Sequence, residues 1–296
     1  MKIAIASGKG GAGKTSITSA LLRVWDNKVI AVDADVEAPN LHLFIKPDSL
    51  LEEQVFLPVP KLNSERCIAC GACRDICQFK AIIKMGKSIQ IFPEMCHGCG
   101  GCYLVCEQDA LEISQRELGS LFYQNTSLPY LMGKSRIGEA MTPPLLKAMQ
   151  EKLNTILKQK NLSSPHDVLI DSPPGVSCPA MTVTRESDLI ILVAEPSPFG
   201  FYDFKLAHKA FKQLHLPIAV IMNKTNMQGN EEGDALLKTY CQQENLTILG
   251  NVPFEADIAK AYANGYIFSE LSTEWKVMFQ EIVFKIRTFI KENYHG

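Results

Sequence analysis

The sequence predicts an α/β fold with a doubly wound, mostly parallel sheet, and three observations carry that prediction. Short apolar runs alternate with stretches of helical periodicity: Lys2 to Ala6, Val29 to Asp33, Asp167 to Asp171, Leu189 to Ala194, Ile218 to Met222 and Thr247 to Val252. Runs that are apolar throughout suit parallel strands covered by helices on both faces. A glycine-rich loop follows the first run and opens a helix. A cysteine-rich stretch then interrupts the alternation.

The first run leads into Gly8, Lys9, Gly10, Gly11, Ala12, Gly13, Lys14, Thr15 and Ser16. This is G-x₄-G-K-T between a strand and a helix, the context of a phosphate-binding loop. Its glycines let backbone N–H groups turn toward phosphate oxygens, and the helix N-terminus adds partial positive charge. Lys14 is expected to reach the terminal phosphates and Thr15 to ligate Mg²⁺. Gly8, Gly10, Gly11, Ala12, Gly13, Lys14, Thr15 and Ser16 are therefore the expected nucleotide cradle.

The second run ends at Asp33, with Asp35 two residues on. The alternation stops near Leu57, where Pro58 and Pro60 are expected to break it, and resumes with a helix over Leu145 to Lys158. Ser114 to Arg136 reads as extended chain returning to the sheet. The expected organisation is a discontinuous nucleotide domain, residues 1–57 and 115–296, interrupted by an insert over 58–114.

Eight cysteines in that insert form two copies of C-x₂-C-x₂-C-x₃-C with a constant offset of 29 residues. Three thiolates from one such loop cap three irons of a cubane, and the fourth reaches the other cluster. Zinc sites pair C-x₂-C knuckles, and these runs place too many ligands in each loop for that. Two [4Fe–4S] clusters are therefore expected. The repeat extends past the ligands, matching Gly71 to Gly100, Ala81 to Ala110 and Ile82 to Leu111. The segment is similar to bacterial ferredoxins, and that resemblance implies that Cys67, Cys70, Cys73 and Cys106 hold one cluster while Cys96, Cys99, Cys102 and Cys77 hold the other. Gln78 and Glu107 stand where those proteins carry proline, which bears on rigidity and potential rather than on ligation.

Composition narrows the function. A formal charge of −2 with no basic run disfavours nucleic acid as a partner. The longest apolar runs are strand-length, below the ~20 residues of a membrane span, so no stable membrane insertion is expected. A last helix over Glu274 to Glu292 carries Trp275, Met278, Phe279, Ile282, Ile286, Phe289 and Ile290 at helical spacing and is expected to pack on the sheet. Cysteines at cluster-ligand spacing, and an N-terminus without a signal-peptide layout, point to a reducing cytoplasm. The insert carries six basic and six acidic residues between Lys61 and Glu112, too balanced to steer an electron partner by charge.

Lys9 is extra to the basic phosphate-loop pattern, and with it the sequence resembles the deviant Walker A ATPases. That group contains the division-site protein MinD, the ParA partition proteins, the Mrp-type cluster carriers and the nitrogenase iron protein. The resemblance continues through Asp33-Ala-Asp35-Val-Glu-Ala-Pro-Asn40 and Asp171-Ser-Pro-Pro-Gly175, the two switch segments. It implies that Lys9 crosses a homodimer interface to the partner's phosphates and that Asp35 positions the attacking water. It also implies that Asp33 lies near Mg²⁺, that Asp171 holds Mg²⁺ through water and that Asn223 recognises adenine. The implied activity is ATP hydrolysis in a homodimer, coupled to electron transfer or metal-cofactor assembly on an unidentified client protein. A positioning or scaffold ATPase with structural or redox-sensing clusters is the alternative. Cys178 lies where the nitrogenase iron protein has a bridging-cluster cysteine, but reads as a small buried residue. His97 reads as a surface side chain and Cys241 as an ordinary helix residue.

Overall fold

The computed structural model describes residues 1–25, 29–124, 128–158 and 166–294. β1 (Lys2–Ala6) enters the glycine-rich loop and α1 (Lys14–Val24), followed by β2 (Val29–Asp33), the short α2 (His42–Ile45) and β3 (Leu51–Leu62). The cysteine-bearing stretch holds α3 (Ala72–Ile76), a hairpin of β4 (Ile82–Met85) and β5 (Ser88–Ile91), and α4 (Gly101–Leu104). The chain returns through β6 (Leu111–Gln124) and β7 (Tyr130–Ser135) to α5 (Pro143–Leu157) and β8 (Asp167–Asp171). Then come α6 (Cys178–Arg185), β9 (Leu189–Ala194), α7 (Pro198–Lys212), β10 (Ile218–Thr225) and α8 (Glu231–Gln243). β11 (Thr247–Pro253), α9 (Ala256–Ala263), α10 (Phe268–Leu271) and α11 (Thr273–Tyr294) complete the chain.

Among the described residues one sheet runs β11-β10-β9-β1-β8-β2-β7-β6-β3. Its strands are parallel from β11 to β7, and β6 and β3 are antiparallel additions at one edge. Alternate residues feed the two faces. Ile3 and Ile5 pack with Ile17 and Leu21 of α1 and with Phe279 and Ile282 of α11. Ala6, Ile190 and Leu192 pack on the other side with Phe204 and Phe211 of α7. The fold class is the expected one, and the sheet order puts β1, with the loop that follows it, at the centre.

The last helix lies on the core, with Trp275, Phe279, Ile282 and Ile286 buried. Burial of such side chains stabilises by about 1.5–3 kcal/mol apiece, which holds this face on the protein. Gly250 in β11 makes the close approach possible, since a Cβ there would meet Ile282 at 2.6 Å. Among the described residues no helix is long and apolar enough to cross a membrane.

One expectation is corrected. Pro58 and Pro60 do not end the strand pattern but lie inside β3, opposite Gln115 and Ile113 of β6. β3 is the edge strand, and residues two apart direct their nitrogens the same way, so both prolines can face the unpaired side at no cost in ladder hydrogen bonds. The ribbon of β3 and β6 thus runs unbroken from the sheet into the cysteine-bearing stretch. The expected boundaries fall inside this ribbon, where Leu57 pairs with Arg116 and Pro58 with Gln115.

Candidate functional site

The loop after β1 reaches α1 through backbone that only glycine adopts easily. Gly11 and Gly13 have φ of +77° and +92°, and a Cβ on Gly13 would come within 2.2 Å of the Asn223 amide. Gly10, Gly11, Gly13, Lys14, Thr15 and Ser16 line a cavity of about 410 Å³, joined by Asp35, Asn40, Pro174, Asn223, Lys224 and Phe254. The cavity opens at the C-terminal ends of the parallel strands, where open α/β sheets bind ligands.

Inside it, the Lys14 ammonium donates to Ser7 Oγ at 3.0 Å, and Ser7 Oγ donates to the Lys9 carbonyl at 2.7 Å. Burial lowers the Lys14 pKa, an effect that the charges of Asp171 and Asp35 oppose. Thr15 Oγ1 donates to Asp171 Oδ2 at 2.5 Å. The other Asp171 oxygen is buried without a hydrogen-bond partner, and burial pushes this carboxyl up to about 6. Asp33 behaves differently. Its two oxygens accept from the backbone N–H groups of Asp35, at 3.2 Å, and Leu41, at 2.9 Å. Its pKa is raised by burial and then by the neighbouring Asp171. Asp33 thereby ties the following loop to the end of β2. Asp35 is half-buried at the cavity wall, its carboxyl raised by burial.

Lys9 and Asn223 take positions that motif spacing alone does not reveal. The Lys9 ammonium lies 3.1 Å from Glu195 Oε1, and Lys224 lies 3.0 Å from Glu195 Oε2. Lys224 also donates to the Gly11 carbonyl at 2.8 Å. Asn223, inside the longer β10, donates from Nδ2 to the Ala12 carbonyl at 2.8 Å, bracing the phosphate loop from behind.

The cysteines form two further walls. Cys67, Cys70, Cys73 and Cys106 line one cavity of about 200 Å³. Cys77, Cys96, Cys99 and Cys102 line a second, tighter one of about 30 Å³. The fourth cysteine of each run therefore faces the other run's cavity. The sequence repeat is also a backbone repeat: Ala69 and Gly98 share positive φ, as do Gly71 and Gly100, and Lys80 and Asp109. The Ala69 N–H donates to Cys67 Sγ and the Gly98 N–H to Cys96 Sγ, both at 3.4 Å. Burial raises the thiols of Cys73 and Cys102, the latter to about 11. Among the described residues no three His, Cys, Asp or Glu side chains converge closely enough to hold a single metal ion.

Residues 3–267 match the family model described as the CobQ/CobB/MinD/ParA nucleotide binding domain. The chain belongs to that family. It is similar to the Methanocaldococcus jannaschii protein MJ0578, with 29% identity over 98% of both chains. It is also similar to the uncharacterized ATP-binding protein MJ0823 of the same organism, with 27% identity over 88% of each. Among solved structures, the septum site-determining protein MinD of Pyrococcus horikoshii complexed with Mg-ADP superimposes with a TM-score of 0.55 at 19% identity, covering 96% of this chain and 95% of that one.

On this CobQ/CobB/MinD/ParA frame three residues stand out that sequence reasoning missed. Glu195 follows β9 directly, and its place at a strand C-terminus was the available signal. Arg116 and Glu139 form a buried ion pair beside the second cysteine run, with no motif around either to mark them. Cys178 corrects an expectation. It is exposed at the first residue of α6, whose buried face is formed by Ala180, Val183 and Thr184. Cys241 is buried in α8, and His97 is exposed, stacked on Phe79 with ring centroids 3.7 Å apart.

Proposed function

We propose that this CobQ/CobB/MinD/ParA-family chain is an iron–sulfur ATPase that hydrolyses ATP to ADP and phosphate within a nucleotide-dependent homodimer. The cycle is coupled to electron transfer, or to metal-cofactor assembly, on a partner protein. One observation carries the reading: two cavities, each walled by four cysteines drawn from both runs, stand on a ribbon continuous with the sheet that bears the phosphate loop. The exchanged fourth cysteines, the N–H donors to sulfur and the positive-φ positions fit two [4Fe–4S] clusters. Such clusters, when bound, supply one-electron chemistry. The Mg-ADP in the Pyrococcus horikoshii structure and the description of MJ0823 as an ATP-binding protein support the nucleotide assignment.

In hydrolysis, a water oxygen bonds to the γ-phosphorus as the bond to the ADP oxygen breaks, and the water proton leaves to phosphate or solvent. Negative charge spreads over the transferred group, so positioned cations and donors stabilise it most. Lys14 and the N-terminal amides of α1 supply this from within the chain, and Lys9 of the partner subunit supplies it across the interface. Asp35, at the cavity wall, orients the water. Thr15 and the unpartnered oxygen of Asp171 would hold Mg²⁺, which adds charge neutralisation when bound. Asp33 contributes by holding the Asp35 loop rather than by offering a free oxygen.

For Lys9 to cross, its pair with Glu195 must open. Both side chains keep some solvent contact, and such a pair is worth about 1 kcal/mol, less than a contact with triphosphate supplies. Lys9→Ala is therefore expected to abolish turnover while nucleotide binding by the single chain is largely kept, as read by phosphate release and equilibrium binding. Native turnover in Lys9→Ala would remove the cross-dimer role.

Coupling is tested by following oxidation of the dithionite-reduced, cluster-loaded protein by a viologen dye with and without Mg-ATP. A several-fold change in rate on adding nucleotide is expected. The same rate in both, in a sample that hydrolyses ATP, would sink the coupling.

A further inference from the structure

A continuous chain of contacts links the segment after Asp35 to one cysteine run. The Ser135 N–H donates to the Val36 carbonyl at 2.8 Å, and Val36 fills space left by Gly133, where a Cβ would lie 2.7 Å from it. Past Ser135 the chain turns, with the Glu139 N–H donating to the Arg136 carbonyl at 3.0 Å. Glu139 pairs with Arg116 Nη1, and its other oxygen accepts from the Met141 N–H at 2.9 Å. Arg116 Nη2 donates to the carbonyl of Cys96 at 3.2 Å, while Arg136 pairs with Glu94 at 2.6 Å.

Two properties make this more than surface chemistry. The Arg116 and Glu139 side chains are only 4% and 2% exposed and form the buried centre of a network completed by Glu94, 3.5 Å from Arg116, and Arg136, 3.8 Å from Glu139, so a change at one must be felt at its partner. Cys96 also packs against the cluster of Leu57, Val59 and Leu118, as Met141 does, at the root of the ribbon. The cavity of Cys67, Cys70, Cys73 and Cys106 is walled wholly by residues of the 62–111 stretch, beyond that root. Between the Asp35 segment and the Cys96 loop lies a groove of about 800 Å³, bordered by Asp35, Glu37, Glu94, His97, Glu139 and Cys178, which gives both sides room to shift.

Resting on the function proposed above, we infer that nucleotide state reaches one cluster selectively. Movement of Asp35–Val36 passes through Ser135–Glu139 and the Arg116–Glu139 pair to Cys96. The potential of the cluster held by Cys77, Cys96, Cys99 and Cys102 therefore responds to nucleotide, and that of the Cys67, Cys70, Cys73 and Cys106 cluster does not. A buried guanidinium beside a ligand's carbonyl favours the reduced, more negative cluster, so altering its pairing alters the potential. Arg116 and Glu139 are positioning residues here.

The test is an EPR-monitored redox titration of the full-length, cluster-loaded protein, with dithionite as electron donor, with and without Mg-ATP. One of two midpoint potentials is expected to move, and the responding signal is expected to vanish in Cys99→Ala but survive in Cys70→Ala. Glu139→Gln is expected to keep its iron and lose the nucleotide-induced shift. Arg116→Lys, which keeps the charge but cannot make both contacts, is expected to lose at least half of it. Movement of both potentials, or of neither, in the native protein overturns the inference, as does a full shift in either variant or a responding signal that depends on Cys70. Absence of clusters or of ATP turnover in the native protein would instead overturn the underlying function.

Discussion

Lys14→Ala is expected to lower ATP turnover by about 10³-fold or more, measured as phosphate release at saturating ATP and Mg²⁺. Lys14 is buried at the start of α1 and stands by Ser7, Asp35 and Asp171, so its charge acts in a site largely closed to water. In that setting an ammonium contributes far more than it would in solvent. Its removal also leaves Asp35 and Asp171 facing phosphates without their nearest cation. Both kcat and affinity are expected to fall, because the ammonium meets phosphate in the ground state and more strongly in the transition state. Turnover within tenfold of native would show that the cavity around Lys14 is not the hydrolytic site.

Cys77→Ala is expected to cost the protein about half of its iron and to abolish the same EPR signal that Cys99→Ala abolishes. Cys77 belongs by sequence to the first run, at the end of α3, yet it lines the cavity of Cys96, Cys99 and Cys102. If each run instead held its own cluster, Cys77→Ala would remove the signal that depends on Cys70. Loss of the cluster should also loosen the segment around it. Its own core is small, built around Ala69, Ile82 and Ile89 with the cysteines themselves, so under the proposed function ligation is expected to supply much of its folding free energy.

The sheet was legible because its central strands are apolar on both faces, as in LIILVA of β9, where every residue is buried. The phosphate loop and the cysteine repeat were legible because their spacings carry geometry, down to paired positive-φ residues 29 positions apart. The ends of that pattern were not. Pro58 and Pro60 signal a break in a central strand but not in an edge strand, and which strand forms the edge is a property of the whole sheet. Cys178 was misplaced because apolar character says nothing about which face of α6 turns outward. The Arg116–Glu139, Lys224–Glu195 and Lys9–Glu195 pairs were missed for a related reason: each joins charges at least 23 positions apart and is found only by folding.

The proposed function requires eight cysteines holding two clusters on a nucleotide-binding frame. The most direct measurement is the iron, acid-labile sulfide and zinc content of the full-length protein purified without oxygen, with the reduced sample examined by EPR. About eight irons and eight sulfides per chain, with signals from two reduced cubanes, are predicted. About two zinc ions per chain with no sulfide would contradict the account.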